Sequence, residues 1–202
     1  MKLAGLFSND LHANAFAHLT QNNFPHMGYQ LTNNFLALEI NMPDVNDLMS
    51  WTRMQIGEAE NPLDSNSGPK VDQYLKAVGA DPGKAWCMAF VCWCHEQAGI
   101  AGVPMTTSVR DFFTQAQLLG RLVPINNVRI GDIVLRVDYP TLGNGKNLGD
   151  HAGIFSAITD DGIPLYISGN TISTTGNVAD NSDSYVDEHR LRYYNYVARF
   201  CS

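Results

Sequence analysis

The sequence predicts an α+β fold, with helices in the first part of the regular region and an antiparallel β-sheet in the second. Up to Gly120, apolar residues recur at spacings of three and four, which is the period of an amphipathic helix. After Gly120, short apolar runs alternate with turns rich in Gly, Asn and Asp, which is typical of strands and hairpins. The chain contains no internal repeat, and helices followed by strands indicate the α+β class.

Length and composition predict one domain with an extension. The chain has 202 residues, of which 45% are hydrophobic, so it can form a sizeable core. Residues 1–43 are polar and rich in Asn, and we interpret them as an irregular or partly helical N-terminal extension. Residues 44–202 carry the regular pattern of a domain. The three histidines of the extension (His12, His18 and His26) are expected to be solvated or packed rather than bound to a metal.

The overall charge argues against nucleic acids as partners, and the lack of a long apolar run argues against a membrane span. The formal net charge is −7 and the isoelectric point is about 5.2, whereas nonspecific nucleic-acid binding needs a basic face. No apolar run is long enough to span a membrane, and no signal peptide precedes Ser8-Asn9-Asp10. We therefore expect a protein that is made in the cytoplasm without a signal peptide and has no membrane span.

Four helices are predicted in the segment 44–120. The first has an apolar face of Val45, Leu48, Met49 and Ile56. The third, from Cys87 to Ala98, is apolar nearly all round and is predicted to be buried. Start and stop signals bound the other helices, namely Asp44 as the first N-cap, Pro69 and Gly79 around the second, and Ser108 and Gly120 around the fourth.

Four strands are predicted after Gly120, separated by two long polar loops. The loops cover residues 138–150 and 171–184. The predicted strands are Ile133–Val137, Ala152–Ile158, Pro164–Ser168 and Arg192–Phe200, with Asp160-Asp161-Gly162 as the hairpin turn between the second and the third.

Two segments carry residues with the chemistry of nucleophilic catalysis. Cys87 stands where a loop becomes a helix, and a helix N-terminus favours a thiolate. His151 stands where a loop becomes a strand, and an imidazole can act as the base that a cysteine nucleophile needs. The spacing of Cys87, Cys92 and Cys94 fits neither a disulfide framework nor a zinc site. No metal and no cofactor are expected.

The order of these motifs resembles the CHAP family of cysteine- and histidine-dependent amidohydrolases and peptidases, which cleave bacterial peptidoglycan. The resemblance covers about residues 54–200. Its residues are Gly68-Pro69, Trp86-Cys87-Met88-Ala89-Phe90-Val91, Gln97-Ala98-Gly99, Gly131-Asp132-Ile133-Val134, His151-Ala152-Gly153-Ile154 and Gly169-Asn170-Thr171. The resemblance implies a papain-like fold, in which the helix of the nucleophile packs on an antiparallel sheet that carries the base.

The same resemblance implies the roles of the site residues. Cys87 would be the nucleophile, His151 the general base, and Asn170 the residue that orients the imidazole. The family often has Glu-Gly-Asn-Thr where this chain has Ser168-Gly169-Asn170-Thr171, so the Glu is absent. Asp150 is the alternative orienting residue, although neighbours on a strand point to opposite faces. Trp86, Asp150 and Ser168 are candidates for substrate binding.

The implied function is hydrolysis of an amide bond in the peptidoglycan peptide, by an amidase or an endopeptidase. Two biological settings fit, namely an antibacterial effector that is exported and a phage endolysin that reaches the wall on lysis. An effector would need an immunity protein as partner. Two alternatives stay open: an acyltransferase or transglutaminase-like enzyme with the same Cys-His-Asn set, and a non-catalytic wall-binding module on a hydrolase fold.

Overall fold

The structure is a computed structural model that describes residues 44–137, 149–174 and 183–201. The prediction of an extension over residues 1–43 lies outside the described residues, as do residues 138–148 of the first predicted loop and residues 175–182 of the second.

Four helices precede the sheet in the described residues, which confirms the predicted order of elements. Their bounds are Val45–Arg53 (α1), Val71–Ala77 (α2), Cys87–Gln97 (α3) and Val109–Leu118 (α4). A short 3₁₀ turn, Ile125–Asn127, follows. Across the described part of the chain, no helix has the length and apolar character that crossing a membrane requires.

The local signals for the helices are confirmed at three of the four starts. The side chains of Asp44 and Ser108 accept hydrogen bonds from backbone N–H groups in the first turns of α1 and α4. Helix α3 begins at Cys87, as predicted. Pro69, however, is not the first residue of α2, which starts at Val71. Helix α1 ends at Arg53, so Ile56 lies beyond it and is partly exposed instead of extending the apolar face.

A six-stranded antiparallel sheet follows the helices. Its strands are Leu122–Val123 (β1), Ile133–Arg136 (β2), His151–Ile158 (β3), Pro164–Thr171 (β4), Tyr185–Arg190 (β5) and Tyr196–Ala198 (β6). The spatial order is β1-β6-β2-β3-β4-β5, so the last strand lies between the first and the second. This order places β3, which begins with His151, in the interior of the sheet.

The strands differ from the prediction in ways that affect the site. Strand β3 starts one residue early, so His151 is its first residue and not the last residue of a loop. Strand β4 extends to Thr171 and includes Asn170, where the backbone is left-handed with a φ of 56°. The pairing of β4 with β5 shifts register here, and β5 itself was not predicted because it is polar and short.

The sheet buries both of its faces in separate clusters. On the helical face, α3 packs against β3 and β4 and contributes more buried residues to the main core than any other element. On the other face, a smaller cluster contains Val134, Phe155, Tyr166, Tyr194 and Val197. We call these the helical face and the outer face. Residues alternate between the two faces along each strand, so Ala152 belongs to the helical face and His151 to the outer face.

A glycine allows α3 to approach the sheet closely. A Cβ atom built on Gly169 of β4 would lie 2.2 Å from Cζ3 of Trp86, just before the first residue of α3. Because real Cβ atoms do not approach other heavy atoms so closely, Gly169 sets how near the start of α3 lies to β4.

The Gly131-Asp132 motif holds two ends of the described domain together. The Asp132 carboxylate is fully buried and pairs with Arg199 through two contacts, Nε to Oδ1 at 2.8 Å and Nη2 to Oδ2 at 2.7 Å. A Cβ built on Gly131, whose φ is +89°, would lie 2.6 Å from Val45 of α1. This motif therefore has a packing role and lies apart from the catalytic candidates.

Candidate active site

Cys87 is the first residue of α3, and its thiol faces backbone donors. Trp86 precedes it with a non-helical backbone and provides no side-chain cap. N–H groups in the first turn of a helix have no partner within the helix, so they remain available at this point. The backbone N–H groups of Met88 and of Ala152, which comes directly after His151, lower the pKa of the thiol and so favour its ionised form.

His151 begins β3 on the outer face and is paired with a cation across the ladder. Its Cα partner in β2 is Arg136. The Arg136 side chain is held in place, because its Nε donates to the carbonyl oxygen of Gly149 at 2.8 Å and its guanidinium lies over the Tyr194 ring. The imidazole is 9% exposed. Among the described residues, no hydrogen bond reaches either nitrogen of this ring.

The structure brings Cys87 and His151 into one neighbourhood without a direct hydrogen bond in the described residues. The thiol lies against the N–H of Ala152, the chain neighbour of His151. Arg136 acts electrostatically on both groups, lowering the pKa of the thiol and that of the imidazole. The backbone arrangement thus unites the two predicted motifs, which are 64 positions apart in the sequence.

Burial determines the protonation of both groups. It raises the pKa of the Cys87 thiol, and the N–H groups of Ala152 and Met88 offset this only in part. Burial also lowers the pKa of His151 to about 3, with smaller contributions from Arg136 and His189. Both groups are therefore neutral at pH 7. The prediction of a thiolate favoured by the helix terminus is wrong for this closed arrangement, because desolvation outweighs the helix dipole.

Asn170 uses its amide nitrogen in a polar cluster and makes no hydrogen bond to His151 in the described residues. Nδ2 donates to Oδ1 of Asn66 at 3.1 Å and to the carbonyl oxygen of Asp183 at 3.0 Å, with a longer contact of 3.4 Å to Oε1 of Glu60. The left-handed backbone at this residue accompanies that orientation. In this structure Asn170 joins β4 to the segment before α2, and its predicted role in orienting His151 stays a prediction.

Glu60 is the centre of the polar cluster that Asn170 contacts. Its buried carboxylate accepts hydrogen bonds from Trp86 Nε1 at 2.7 Å, from the Asn66 N–H at 2.9 Å and from Ser184 Oγ at 3.2 Å. Trp86 itself is fully buried and stacks on Tyr74. Trp86 was a candidate for substrate binding, and here it has no exposed surface with which to line a cleft.

The other two substrate-binding candidates have different environments. The Asp150 carboxylate pairs with Arg110 of α4, with Nε and Oδ2 2.5 Å apart. This contact directs Asp150 toward α4, as expected for a strand neighbour of His151. Ser168 is fully buried next to Gly153, where a built Cβ would lie 3.1 Å from the Ser168 Cβ. Its hydroxyl has no hydrogen-bond partner in the described residues.

A cleft of about 620 Å³ adjoins the His151 end of the sheet. Arg136, the cross-strand partner of His151, lines the cleft together with Tyr166 and His189. The cleft continues over β4 and β5 to the turn before β6. Neither Cys87 nor His151 lines the cleft itself, and Arg136 is the residue that connects the cleft to His151.

The remaining thiols and the buried histidine of α3 are structural. All four cysteines are free. Cys92 and Cys94 are fully buried, and burial raises the pKa of Cys92 to about 12. His95 is fully buried too, with Nδ1 2.8 Å from the Val91 carbonyl oxygen. Within residues 44–137, 149–174 and 183–201, no cluster of three or more His, Cys, Asp or Glu side chains could hold a metal ion.

Sequence reasoning missed the cation beside the histidine. Arg136 stands in an otherwise apolar strand, Ile-Val-Leu-Arg-Val, and a charged residue in such a run is a signal of its own. Its partnership with His151 depends on the register of two strands separated by a long loop, which the sequence pattern does not determine. His189, which had no predicted partner, lies 3.2 Å from the Thr171 hydroxyl.

A comparison with protein families finds no family model that matches this chain, and a comparison with curated proteins finds no match either. The resemblance to the CHAP family therefore depends on the motifs alone.

Proposed function

We propose that this protein is a cysteine-dependent hydrolase that cleaves an amide bond of the peptidoglycan peptide, on a papain-like fold of the CHAP type. The observation that carries the proposal is the location of the Cys87 thiol, at the start of a buried helix and against the N–H that follows His151. Acyl transfer requires a nucleophile and a base close together, next to backbone N–H groups, and here separate elements supply the two groups. The order of the surrounding motifs supports the peptidoglycan substrate.

The neutral state of both groups suggests how the reaction begins. His151 removes the thiol proton as Sγ attacks the amide carbonyl, so that a thiolate forms only in the transition state. The backbone N–H of Cys87 is available to the oxyanion. The C–N bond then breaks, and the imidazolium gives its proton to the leaving amine. Water hydrolyses the resulting thioester and restores the free thiol.

The same geometry gives some support to acyl transfer as a second function. Cys87 is 5% exposed and His151 is 9% exposed, so little water reaches the site in this arrangement. A thioester that is shielded from water reacts with an incoming amine more readily than an open one. An amine acceptor added to the assay distinguishes hydrolysis from acyl transfer, because a transferase would form the new amide in preference to the free acid.

The proposed setting is the bacterial cell wall, which the protein would reach by export as an antibacterial effector or by phage-induced lysis as an endolysin. In the effector setting the producing cell needs an immunity protein. A protein that covers the entrance near Cys87 and His151 would suffice, because the site is already almost closed.

Digestion of purified peptidoglycan followed by mass spectrometry tests the proposal. The wild-type protein should release fragments with one new amine and one new carboxylate, which also identifies the bond. Cys87→Ala should lower turnover by a factor on the order of 10³ or more, because the covalent route is lost. Cys201→Ser is the matched control, since Cys201 lies outside the site, and it should retain activity.

Equal turnover by a folded Cys87→Ala variant would refute the cysteine mechanism. Binding of the wild-type protein to peptidoglycan without any product would instead identify a wall-binding module.

A further inference from the structure

The cleft beside His151 is basic, although the protein as a whole is acidic. The chain has a formal net charge of −7. The cleft, however, is lined by three guanidinium groups (Arg136, Arg190 and Arg192) and one carboxylate (Glu188). His189 also lines it, and burial keeps the pKa of this histidine below its ordinary value, so it adds no positive charge at pH 7. The cleft is therefore a local positive region on a negative protein.

Two of the three arginines point to a ligand rather than to an internal ion pair. Arg190 ends β5 and Arg192 stands in the turn before β6, and both are exposed. In the described part of the chain, neither side chain makes a hydrogen bond or a close ion pair, although Arg190 acts electrostatically on the Asp161 carboxylate in the turn between β3 and β4. Guanidinium groups match carboxylates with two parallel N–H donors, and at the wall of a cleft such a pair is better shielded from solvent than on a flat surface.

Arg136 connects this positive region to the catalytic candidates. Its guanidinium is fixed by the Gly149 carbonyl oxygen and by the Tyr194 ring, and its backbone is paired with His151. A ligand that extends along the cleft from Arg192 thus reaches Arg136, the cross-strand partner of His151. The cleft is about 620 Å³, large enough for several residues of a peptide.

We propose that this cleft binds the free carboxylates of the peptidoglycan stem peptide, through Arg190 and Arg192, and so presents the scissile amide to Cys87. This inference rests on the proposed function for its substrate. The walls fit a peptide, because Leu165 and Ile172 offer apolar surface next to the charged groups. A second cavity of about 260 Å³ is lined by Glu60, Asp64 and Asp183, and this acidic lining disfavours the same ligand there.

The test is a binding titration with the full chain in which Cys87→Ala prevents turnover. The probes are three versions of one tetrapeptide, L-Ala-γ-D-Glu-L-Lys-D-Ala: with both carboxylates free, with the glutamate carboxylate amidated, and with the C-terminal carboxylate amidated. We expect the free peptide to bind at least tenfold more tightly than one of the two amides, which identifies the carboxylate that is bound. Arg192→Gln and Arg190→Gln should each weaken binding of the free peptide at least fivefold and reduce its preference over the amide.

Arg121→Gln is the matched control. Arg121 is exposed directly before β1, its guanidinium lies over the Phe200 ring, and it does not line the cleft. It should leave the affinity unchanged. Equal affinity for all three peptides, no binding of any of them, or no effect of Arg190→Gln and Arg192→Gln would each overturn the inference. With active protein, Arg192→Gln should raise KM for the free peptide and leave kcat unchanged, because Arg192 does not reach the reacting atoms.

The two proposals fail in different ways. If Cys87→Ala digests peptidoglycan as fast as the wild type, the cysteine mechanism is refuted, and selective binding of the free peptide still supports the cleft. If Cys87→Ala is inactive and the peptides bind equally well, the cleft assignment is refuted and the hydrolase stands.

Discussion

Alkylation of Cys87 as a function of pH tests the charge state on which the proposed first step depends. A free cysteine is about 3% thiolate at pH 7, and burial raises the pKa of Cys87, so its thiolate fraction lies below that value. Below the pKa, the thiolate fraction rises about tenfold for each pH unit. We therefore expect the rate of labelling by iodoacetamide to be slower at pH 7 than for a free cysteine and to rise about tenfold from pH 7 to pH 8.

The same experiment with His151→Ala determines whether the imidazole holds a charge. Because the pKa of His151 lies at about 3, the ring is neutral above pH 5, and its removal should leave the pH profile of labelling unchanged. A thiolate–imidazolium pair would behave differently, because loss of the histidine would then move the pH profile of labelling to higher pH. Catalytic turnover should nevertheless collapse in His151→Ala, because the base is lost.

The measurement requires a variant in which Cys87 is the only thiol that the reagent labels at an appreciable rate. Cys201 is partly exposed, whereas Cys92 and Cys94 are fully buried, so Cys201 is the competitor and Cys201→Ser removes it. Peptide mapping then assigns the label to Cys87. A labelling rate that is already constant between pH 5 and pH 7, and that falls when His151 is replaced, would show a preformed ion pair and refute the neutral resting state.

The remaining predictions concern stability. Gly169→Ala should lower the free energy of unfolding by about 1–3 kcal/mol, because the added methyl group would lie 2.2 Å from the Trp86 ring, and thermal denaturation should show less effect in a Trp86→Phe background. Asp132→Ala should cost about 1–3 kcal/mol in a denaturant titration by removing the partner of the partly exposed Arg199, and an undiminished midpoint would exclude a role for this pair. Acid should destabilise the fold, because the pKa of buried His95 is lowered to about 4 and the unfolded chain therefore binds the proton first. Stability falls as pH drops from 6.5 toward 4, and His95 alone contributes about 2 kcal/mol of this loss at pH 5, to which His151 adds in the same direction. His95→Gln should flatten this part of the pH profile.

Local signals predicted the helices better than the sheet. Helix α3 follows from an apolar run and a closing glycine, all within thirteen residues, and its start placed Cys87 correctly. The location of His151 at the start of a strand was predicted to within one residue. Strand β5 was missed because it is polar and acts as a strand only through its pairing with β4.

The electrostatics of the site depend on the tertiary structure in the same way. The helix terminus at Cys87 is visible in the sequence, and it favours a thiolate. How deeply the thiol is buried depends on the packing of α3 against β3 and β4, and this desolvation reverses the expected shift of the pKa. The contacts of Asn170 likewise depend on a segment more than one hundred residues earlier in the chain.

The deep location of the Cys87 thiol also bears on its chemical durability. Peroxides and other oxidants attack thiolates that solvent can reach, and they convert them first to sulfenic acid and then to irreversible acids. A thiol that is protonated and 5% exposed reacts slowly with such oxidants. If the protein acts at the cell wall as proposed, outside the reducing cytoplasm, this burial would help to keep its nucleophile intact.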